Sequence, residues 1–245
     1  MSQPDVVPEW QREHHDRVDP HIRGRSLADV ILGGQDGIVN VLGVLLGVAA
    51  AGGGARIVVA GGLATAFAGS ISMAAVAYTS TLAAADVYRG ERAREYRHVH
   101  TVPNLERAEV REMYARKGFE GPILDRIVET ITKDPDVWVA VMMTEEHGLA
   151  PTSRGHALRS AVVVGVAALV GSLLPVAPFF FLGVFAAACA SVAVAGVSLA
   201  AVGAYKARMT SGPVFRSALE MAAIGLVSAL AAWGIGTLFG VVSPG

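Results

Sequence analysis

Long uncharged stretches alternate with charged ones along this chain. Charged side chains are absent from Ile57 to Ala85 and from Ser160 to Tyr205, and only Glu220 interrupts the stretch that begins at Ser217. A helix that crosses a lipid bilayer needs about 20 apolar residues. The first stretch therefore accommodates one spanning helix, the second two and the third one. The second stretch divides at Pro175-Val-Ala-Pro178, because proline lacks the N–H that a helix interior requires.

A further apolar stretch, Leu27 to Gly53, carries two carboxylates, Asp29 and Asp36. We count it as a span because its other residues are apolar. The pattern therefore predicts an all-α membrane protein with five transmembrane helices, at about 27–52, 57–85, 157–176, 179–205 and 217–241. A helical insert of mixed charge separates spans two and three.

The lysine and arginine residues predict the orientation of these spans. Of the 20, 4 lie in residues 1–26, 12 in 86–159 and 3 in 206–216, which leaves Arg56 alone on the other side. Cytoplasmic loops carry the excess of basic residues. We therefore predict a cytosolic tail at 1–26, spans one and two at 27–85, a cytosolic helical metal-binding domain at 86–156 and spans three to five at 157–245. The polar, partly acidic tail does not fit a cleavable signal peptide.

Composition excludes several classes of protein. Hydrophobic residues make up 53% of the chain and charged residues 17%, with a mean hydropathy of +0.48, whereas a soluble domain carries about 25% charged residues. The net charge of −1 gives no reason to expect nucleic acid as a partner. A single cysteine, Cys189, excludes an internal disulfide.

The insert carries candidate metal ligands at helical spacing. Apolar periodicity predicts three or four short helices, the first continuing span two to about His100 and the next capped by Asn104. Several carboxylates, an imidazole and thioethers share helix faces: Glu91, Glu95 and His98; Glu106 and Glu109; Met142 and Glu146, with Met143 adjacent. Such donors suit Fe²⁺, Mn²⁺ or Zn²⁺. The alternative is a solvated, ion-paired helix surface, with both methionines in a core beside Trp138.

Asp36 is the unusual residue within the spans. It lies about nine residues into the first span, roughly 14 Å along the helix, and a carboxylate at that depth favours an ion pathway. Met73, on span two, is a candidate soft ligand beside it. The alternative is a protonated aspartic acid that holds helices together by hydrogen bonds, within a stripe of glycines that is typical of helix contacts.

Together these motifs resemble the vacuolar iron transporter family. The resemblance runs from about His21 to Gly240 and rests on Asp36-Gly37, on Ala68-Gly-Ser-Ile-Ser-Met73, on the acidic helices, on Trp138 with Met142, Met143 and Glu146, and on Lys206-Ala-Arg. It implies a five-span homodimer that exchanges Fe²⁺, and in some members Mn²⁺, for protons. It also implies that Asp36 and Met73 belong to a pathway at the dimer interface. The implied cytosolic metal ligands are Glu95, Glu106, Glu109, Met142, Met143 and Glu146.

Two positions depart from that family. Thr65 stands where a pathway glutamate is common, which removes a titratable group. His98 replaces a glutamate of the first acidic helix and so keeps a ligand while favouring borderline metals slightly. In the N-terminal tail, His14, His15 and His21 with nearby aspartates suit a solvated tail better than a metal site.

We therefore expect a transporter, without a catalytic cofactor, that moves Fe²⁺ or Mn²⁺ (Zn²⁺ also fits the ligands) out of the cytoplasm in exchange for protons. Glu91 would be an additional ligand. The membrane would be the plasma or inner membrane of a prokaryote, or the vacuolar membrane of a eukaryote. Two alternatives stay open: a membrane-anchored di-iron carboxylate oxidase and a metal sensor, each using the same cytosolic ligands.

Overall fold

The computed structural model describes residues 24–210 and 212–240, which form helices and connecting turns without a strand in these two ranges. The histidines and aspartates of the N-terminal tail lie outside them, so the expectation of a solvated tail stays a prediction. The helices in chain order are α1 (Gly24–Ala50), α2 (Ala55–Thr101), α3 (Pro103–Arg116), α4 (Gly121–Thr132), α5 (Pro135–Val141), a π-helical turn (Met142–Glu146), α6 (Arg154–Val176), a 3₁₀ turn (Ala177–Phe180), α7 (Val184–Met209) and α8 (Val214–Gly240).

Five of these helices, α1, α2, α6, α7 and α8, are long and apolar enough to cross a membrane. This confirms the prediction of five spans. The second helix runs through its predicted span and ends at Thr101, close to the expected His100. The prediction that Asn104 caps the following helix is wrong. Val102 is the N-cap residue, and helix α3 begins at Pro103, two residues earlier than predicted; the missing N–H and fixed φ of proline suit the first helical position.

The break between α6 and α7 lies where the prolines predicted it. Helix α6 continues through Pro175 and passes at Ala177 into the 3₁₀ turn. The carbonyl oxygen of Pro175 accepts a hydrogen bond of 2.6 Å from the hydroxyl of Ser191, a fully buried residue of α7. A neighbouring helix thus satisfies a carbonyl that the end of α6 leaves without a helical partner.

The described chain divides into two compact units. The first unit comprises the residues up to Ala74 and those from Val162 onward, and the second comprises Ala75–Ala161. In the first unit, glycines let helices approach closely. A Cβ atom on Gly33 or Gly37 of α1 would overlap backbone atoms of α6, and one on Gly236 of α8 would overlap the backbone of α1 at Gly47. The predicted glycine stripe of span one therefore serves contacts within one chain.

The second unit has a core of large apolar side chains. They come from the end of α2, from α3, α4 and α5, and from the π-helical turn: Val99, Val110, Met113, Leu124, Val128, Ile131, Trp138, Val139, Met142 and Met143. The apolar positions of α4 recur at helical spacing, so one face of that helix is buried and the opposite face is exposed. This packing fixes the ends of α2, α3 and the π-helical turn relative to one another.

Candidate metal centre

The last turns of α2 supply the first two candidate ligands. Glu95 and His98 stand three residues apart and therefore share a helix face. The Glu95 residue is only 3% exposed, whereas the side chain of His98 is half-buried. His98 Nδ1 lies 4.0 Å from Glu95 Oε1.

The first turns of α3 bring a second buried carboxylate to this place. Glu106 is 2% exposed, and its Oε1 lies 3.2 Å from Nδ1 of His98. Glu109, one turn further along α3, is half-buried. It is close enough to Glu106 and Glu146 to perturb both carboxyl groups electrostatically.

The π-helical turn supplies the remaining groups. The backbone N–H of His147 donates to the carbonyl of Met142, five residues earlier. Because this turn is wider than an α-helical one, residue i+5 lies near the face of residue i, and the consecutive residues Glu146 and His147 both come within ligand distance of Glu95 on α2. His147 Nε2 lies 3.1 Å from Glu95 Oε1.

The electrostatics of the cluster are dominated by burial of like charges. Burial, followed by the charges of Glu95, Glu109 and Glu146, raises the pKa of Glu106 to about 7. Glu146 is exposed to solvent on one side only, and partial burial of its carboxyl group raises its pKa. The negative charges of Glu109 and Glu95 raise the pKa of Glu146 as well. The hydrogen bond with Glu95 raises the pKa of His147, against the opposite effect of burial.

Two groups of potential ligands share Glu95. One contains Glu95, His98 and Glu106, and the other Glu95, Glu146 and His147; within each group the ligand atoms lie within 4.8 Å of one another. Metal–ligand bonds of about 2.0–2.2 Å place two ligands of one ion at most about 4.4 Å apart. The distances of 3.1, 3.2 and 4.0 Å given above fit that limit. The arrangement can hold a divalent cation in either group.

Two buried oxygen atoms in the cluster lack a protein partner. Glu95 Oε2 and Glu106 Oε2 make no hydrogen bond within the described ranges. A buried carboxylate without a partner is costly. A cation between the two side chains, or a proton on one of them, would remove that cost. These oxygen atoms are therefore candidate ligand atoms.

The other residues predicted for this site lie around the cluster. Glu91 is bound to Arg94 through both carboxylate oxygens, at 3.0 and 2.9 Å, and belongs to neither ligand group. Met142 and Met143 are 0% and 1% exposed and form part of the apolar core. Their role as sulfur ligands stays a prediction.

The two residues predicted for the membrane pathway lie in the first unit. Asp36 on α1 and Met73 on α2 are each half-buried. Asn40, one turn after Asp36, is exposed. The roles of Asp36 and Met73 also stay predictions.

Sequence reasoning missed His147. At a spacing of 3.6 residues per turn, His147 falls away from the face that Met142 and Glu146 share. Only the π-helical turn returns it to the cluster. The available signal was the pair of adjacent ligand types, Glu146 and His147, directly before Gly148, whose φ of 61° ends the helical segment.

Comparisons with known proteins match nearly the whole chain. The model of the VIT family matches residues 27–237. Vacuolar iron transporter 1 of Eucalyptus grandis is 34% identical over 86% of each chain. A protein of the same name from Oryza sativa subsp. japonica is 32% identical over 91% of this chain and 89% of its own. Protein CCC1 of Saccharomyces cerevisiae is 28% identical over 88% of this chain and 68% of its own. The chain belongs to the VIT family.

Proposed function

We propose that this protein carries divalent iron, and Mn²⁺ where it is available, out of the cytoplasm across a membrane in exchange for protons. Membership of the VIT family and the names of the plant relatives support metal transport. The five apolar helices support a multi-pass membrane protein. The basic residues of the sequence support a cytoplasmic N-terminus and a cytosolic second unit.

The observation that carries the proposal is the pair of buried carboxylates, Glu95 and Glu106, each with one unpartnered oxygen. Two like charges in a site of reduced dielectric destabilise each other unless one is protonated or a cation lies between them. Oxygen and nitrogen donors at these distances suit Fe²⁺, Mn²⁺ and Zn²⁺. The cluster would collect ions before they enter the membrane, with Glu109, Met142 and Met143 as adjacent donors.

Asp36 and Met73 are proposed as the site within the membrane. Both are only partly buried in the single chain, so their remaining surface is available to a second copy. In a homodimer, two Asp36 carboxylates and two Met73 thioethers would surround the ion. Two close carboxylates in a medium of low dielectric repel each other, so release of the ion would favour uptake of a proton. Thr65 supplies no titratable group there, which leaves Asp36 as the proposed proton carrier.

A flux measurement tests this proposal. The purified protein is reconstituted in liposomes, a pH gradient is imposed, and entry of Fe²⁺ or Mn²⁺ is followed with a trapped fluorescent chelator. We expect flux that requires the gradient and falls at least tenfold in Asp36→Asn. The matched control is Asp29→Asn, a half-buried carboxylate near the start of the same helix, which should retain most of the flux.

Two outcomes would contradict the proposal. Flux that survives Asp36→Asn unchanged rules out the membrane site, and flux that is indifferent to the pH gradient rules out proton exchange. The ligand cluster is tested separately. Glu95→Gln should raise the metal concentration that gives half-maximal flux, because the loss of the shared ligand affects both groups.

The same ligands also allow the oxidase alternative. Glu95 with His98 forms a Glu-x-x-His step of the kind found in di-iron carboxylate proteins. Oxygen consumption by the purified protein with Fe²⁺, at many turnovers per molecule, would favour that alternative. Flux of Fe²⁺ or Mn²⁺ without oxygen consumption would exclude it.

A further inference from the structure

Each ligand group contains one imidazole. His98 Nδ1 lies 3.2 Å from Glu106 Oε1 in the first group, and His147 Nε2 lies 3.1 Å from Glu95 Oε1 in the second. Each group therefore offers two carboxylates and one nitrogen donor. The two histidine side chains are 42% and 26% exposed, so both can be reached from the surface.

We propose that His98 and His147 are specificity-determining ligands that make the cluster prefer borderline divalent ions, represented by Co²⁺ and Zn²⁺ and including Fe²⁺, over Mn²⁺. This inference rests on the proposed function, in which the cluster binds divalent cations. Mn²⁺ stands at the weak end of the affinity series for divalent metals and is best served by oxygen donors, whereas imidazole favours the later metals. Replacing oxygen by nitrogen in both groups therefore widens the gap between Mn²⁺ and the other ions.

The alternative is that the histidines only pair with the buried carboxylates and stabilise the fold. Pairing with the histidines alone does not explain the two carboxylate oxygens that lack a partner. With both histidines in place, Glu95 Oε2 and Glu106 Oε2 still lack a partner within the described ranges. A cation in either ligand group would contact its two carboxylates and its one imidazole nitrogen together, while a purely structural ion pair leaves the second oxygens unsatisfied.

Equilibrium dialysis of the full-length protein with Co²⁺ and with Mn²⁺ measures the preference. We expect the wild-type protein to bind Co²⁺ at least tenfold more tightly than Mn²⁺. His98→Gln and His147→Gln should each reduce that ratio about threefold or more, and the double variant should reduce it about tenfold. Glutamine keeps a hydrogen-bond donor toward the carboxylate but removes the nitrogen ligand, so a structural role alone would leave the ratio unchanged.

His100→Gln is the matched control. His100 lies on the same helix, two residues after His98, is exposed and belongs to neither ligand group. The Co²⁺/Mn²⁺ affinity ratio of His100→Gln should equal that of the wild type. The visible absorption of bound Co²⁺ gives a second measurement, because loss of a nitrogen ligand should move the bands to longer wavelength in the two ligand variants and leave them in place in the control.

A measurement on the wild-type protein covers the case in which the variants do not fold. Diethylpyrocarbonate modifies accessible histidines, and peptide mass spectrometry reports each position. Saturating Co²⁺ should protect His98 and His147 but not His100. Equal modification of His98 and His147 with and without bound Co²⁺ would overturn the inference, as would an unchanged Co²⁺/Mn²⁺ ratio in the folded double variant.

The results that contradict the selectivity inference can be distinguished from those that contradict the proposed function. If Glu95→Gln abolishes binding of both ions while the histidine variants keep the wild-type ratio, the cluster binds metal and only the selectivity inference fails. If the wild-type protein binds neither ion, or if Glu95→Gln binds both as tightly as the wild type, the cluster is not the metal-collecting site. Both the selectivity inference and the collecting role in the proposed function are then contradicted.

Discussion

The two units of the molecule are packed in different ways. In the first unit, buried clusters of large side chains such as Leu42 and Leu199 occur together with close helix contacts at positions without a side chain, such as Gly33 and Gly37 against α6. In the second unit, the core consists of large side chains such as Trp138 and Met142, and it also encloses two carboxylates. Between helices in lipid, close packing of small residues supplies the attraction. In a unit with a charged surface, burial of large apolar side chains does so.

The comparison shows where each unit tolerates change. The first unit also buries large side chains, but it has no room for added atoms where a glycine meets the backbone of a neighbouring helix, as at Gly33 and Gly37. The second unit already contains an unfavourable group, the buried carboxylate pair, whose free-energy cost depends on pH and would fall if a cation bound there. The following predictions test that difference, from the largest expected effect to the smallest.

Gly37→Ala should be the most destabilising single change. Its Cβ would overlap the carbonyl oxygen of Ala168 and crowd the Ser172 hydroxyl, and the backbone of α6 cannot move aside cheaply. We expect a loss of about 2–3 kcal/mol, or a fall of roughly 5–10 °C in Tm, measured by size-exclusion chromatography of heated samples. Gly34→Ala is the control, because its Cβ meets only Ala167 O at 3.9 Å. Equal Tm values for the two variants would refute the packing argument.

The metal-free protein should lose stability as pH rises from 5 to 8. The pKa of Glu106 is about 7 in the folded protein and about 4.3 in an unfolded chain. The folded state therefore binds this proton more tightly. The contribution of this proton to the free energy of unfolding is fully present below about pH 4, declines as the pH rises towards 7 and is lost above pH 7. We expect a decline of about 1–2 kcal/mol, measured as Tm in the presence of a chelator.

Glu106→Gln should flatten that decline, since the amide needs no proton. Glu112→Gln is the matched control, because Glu112 lies on the same helix, is exposed and pairs with Arg116 at 3.0 Å. An unchanged slope of Tm against pH in Glu106→Gln would contradict the assignment of the pH dependence to Glu106.

Metal affinity should depend on pH in the opposite sense. It should rise about tenfold per pH unit below pH 7, because the cation displaces the Glu106 proton.

Ser191→Ala should cost about 1 kcal/mol, because the Pro175 carbonyl oxygen loses its hydroxyl donor. Ser70→Ala also removes the hydroxyl of a buried serine, but that hydroxyl bonds only to the Ala66 carbonyl of its own helix. Its loss should cost clearly less. Thermal unfolding of the two variants is compared side by side. An equal or larger loss for Ser70→Ala would contradict the predicted order, and an unchanged stability of Ser191→Ala would show that the α6–α7 contact contributes nothing.

Arg107→Gln should have the smallest effect. The guanidinium carbon of Arg107 lies 5.8 Å from the centre of the Trp138 ring, and a cation–π contact at an exposed arginine is worth about 0.5 kcal/mol. A change in tryptophan fluorescence at nearly constant Tm is the expected result. Arg126→Gln, an exposed arginine of α4, should leave the fluorescence unchanged, and identical spectra for both variants would rule out the contact.

The spans could be predicted from the sequence because a bilayer requires long uncharged stretches. The ligand cluster could be predicted only in part. Helical spacing placed Glu95 with His98 and Glu106 with Glu109, because those residues lie on regular helices. Helical spacing could not identify His147, since no periodicity of the sequence predicts a π-helical turn. It also misplaced the start of α3, because the proline at position 103 begins that helix and Asn104 falls inside it.

The π-helical turn has a consequence for how relatives of this protein can diverge. Such a turn holds one residue more than the α-helical turn that it replaces. A homologue in which the same residues formed a regular α-helix would therefore turn His147 away from Glu95, although every ligand residue was still present. The form of this single turn could thus alter the metal that a homologue accepts, and an inventory of its ligand residues would not reveal the difference.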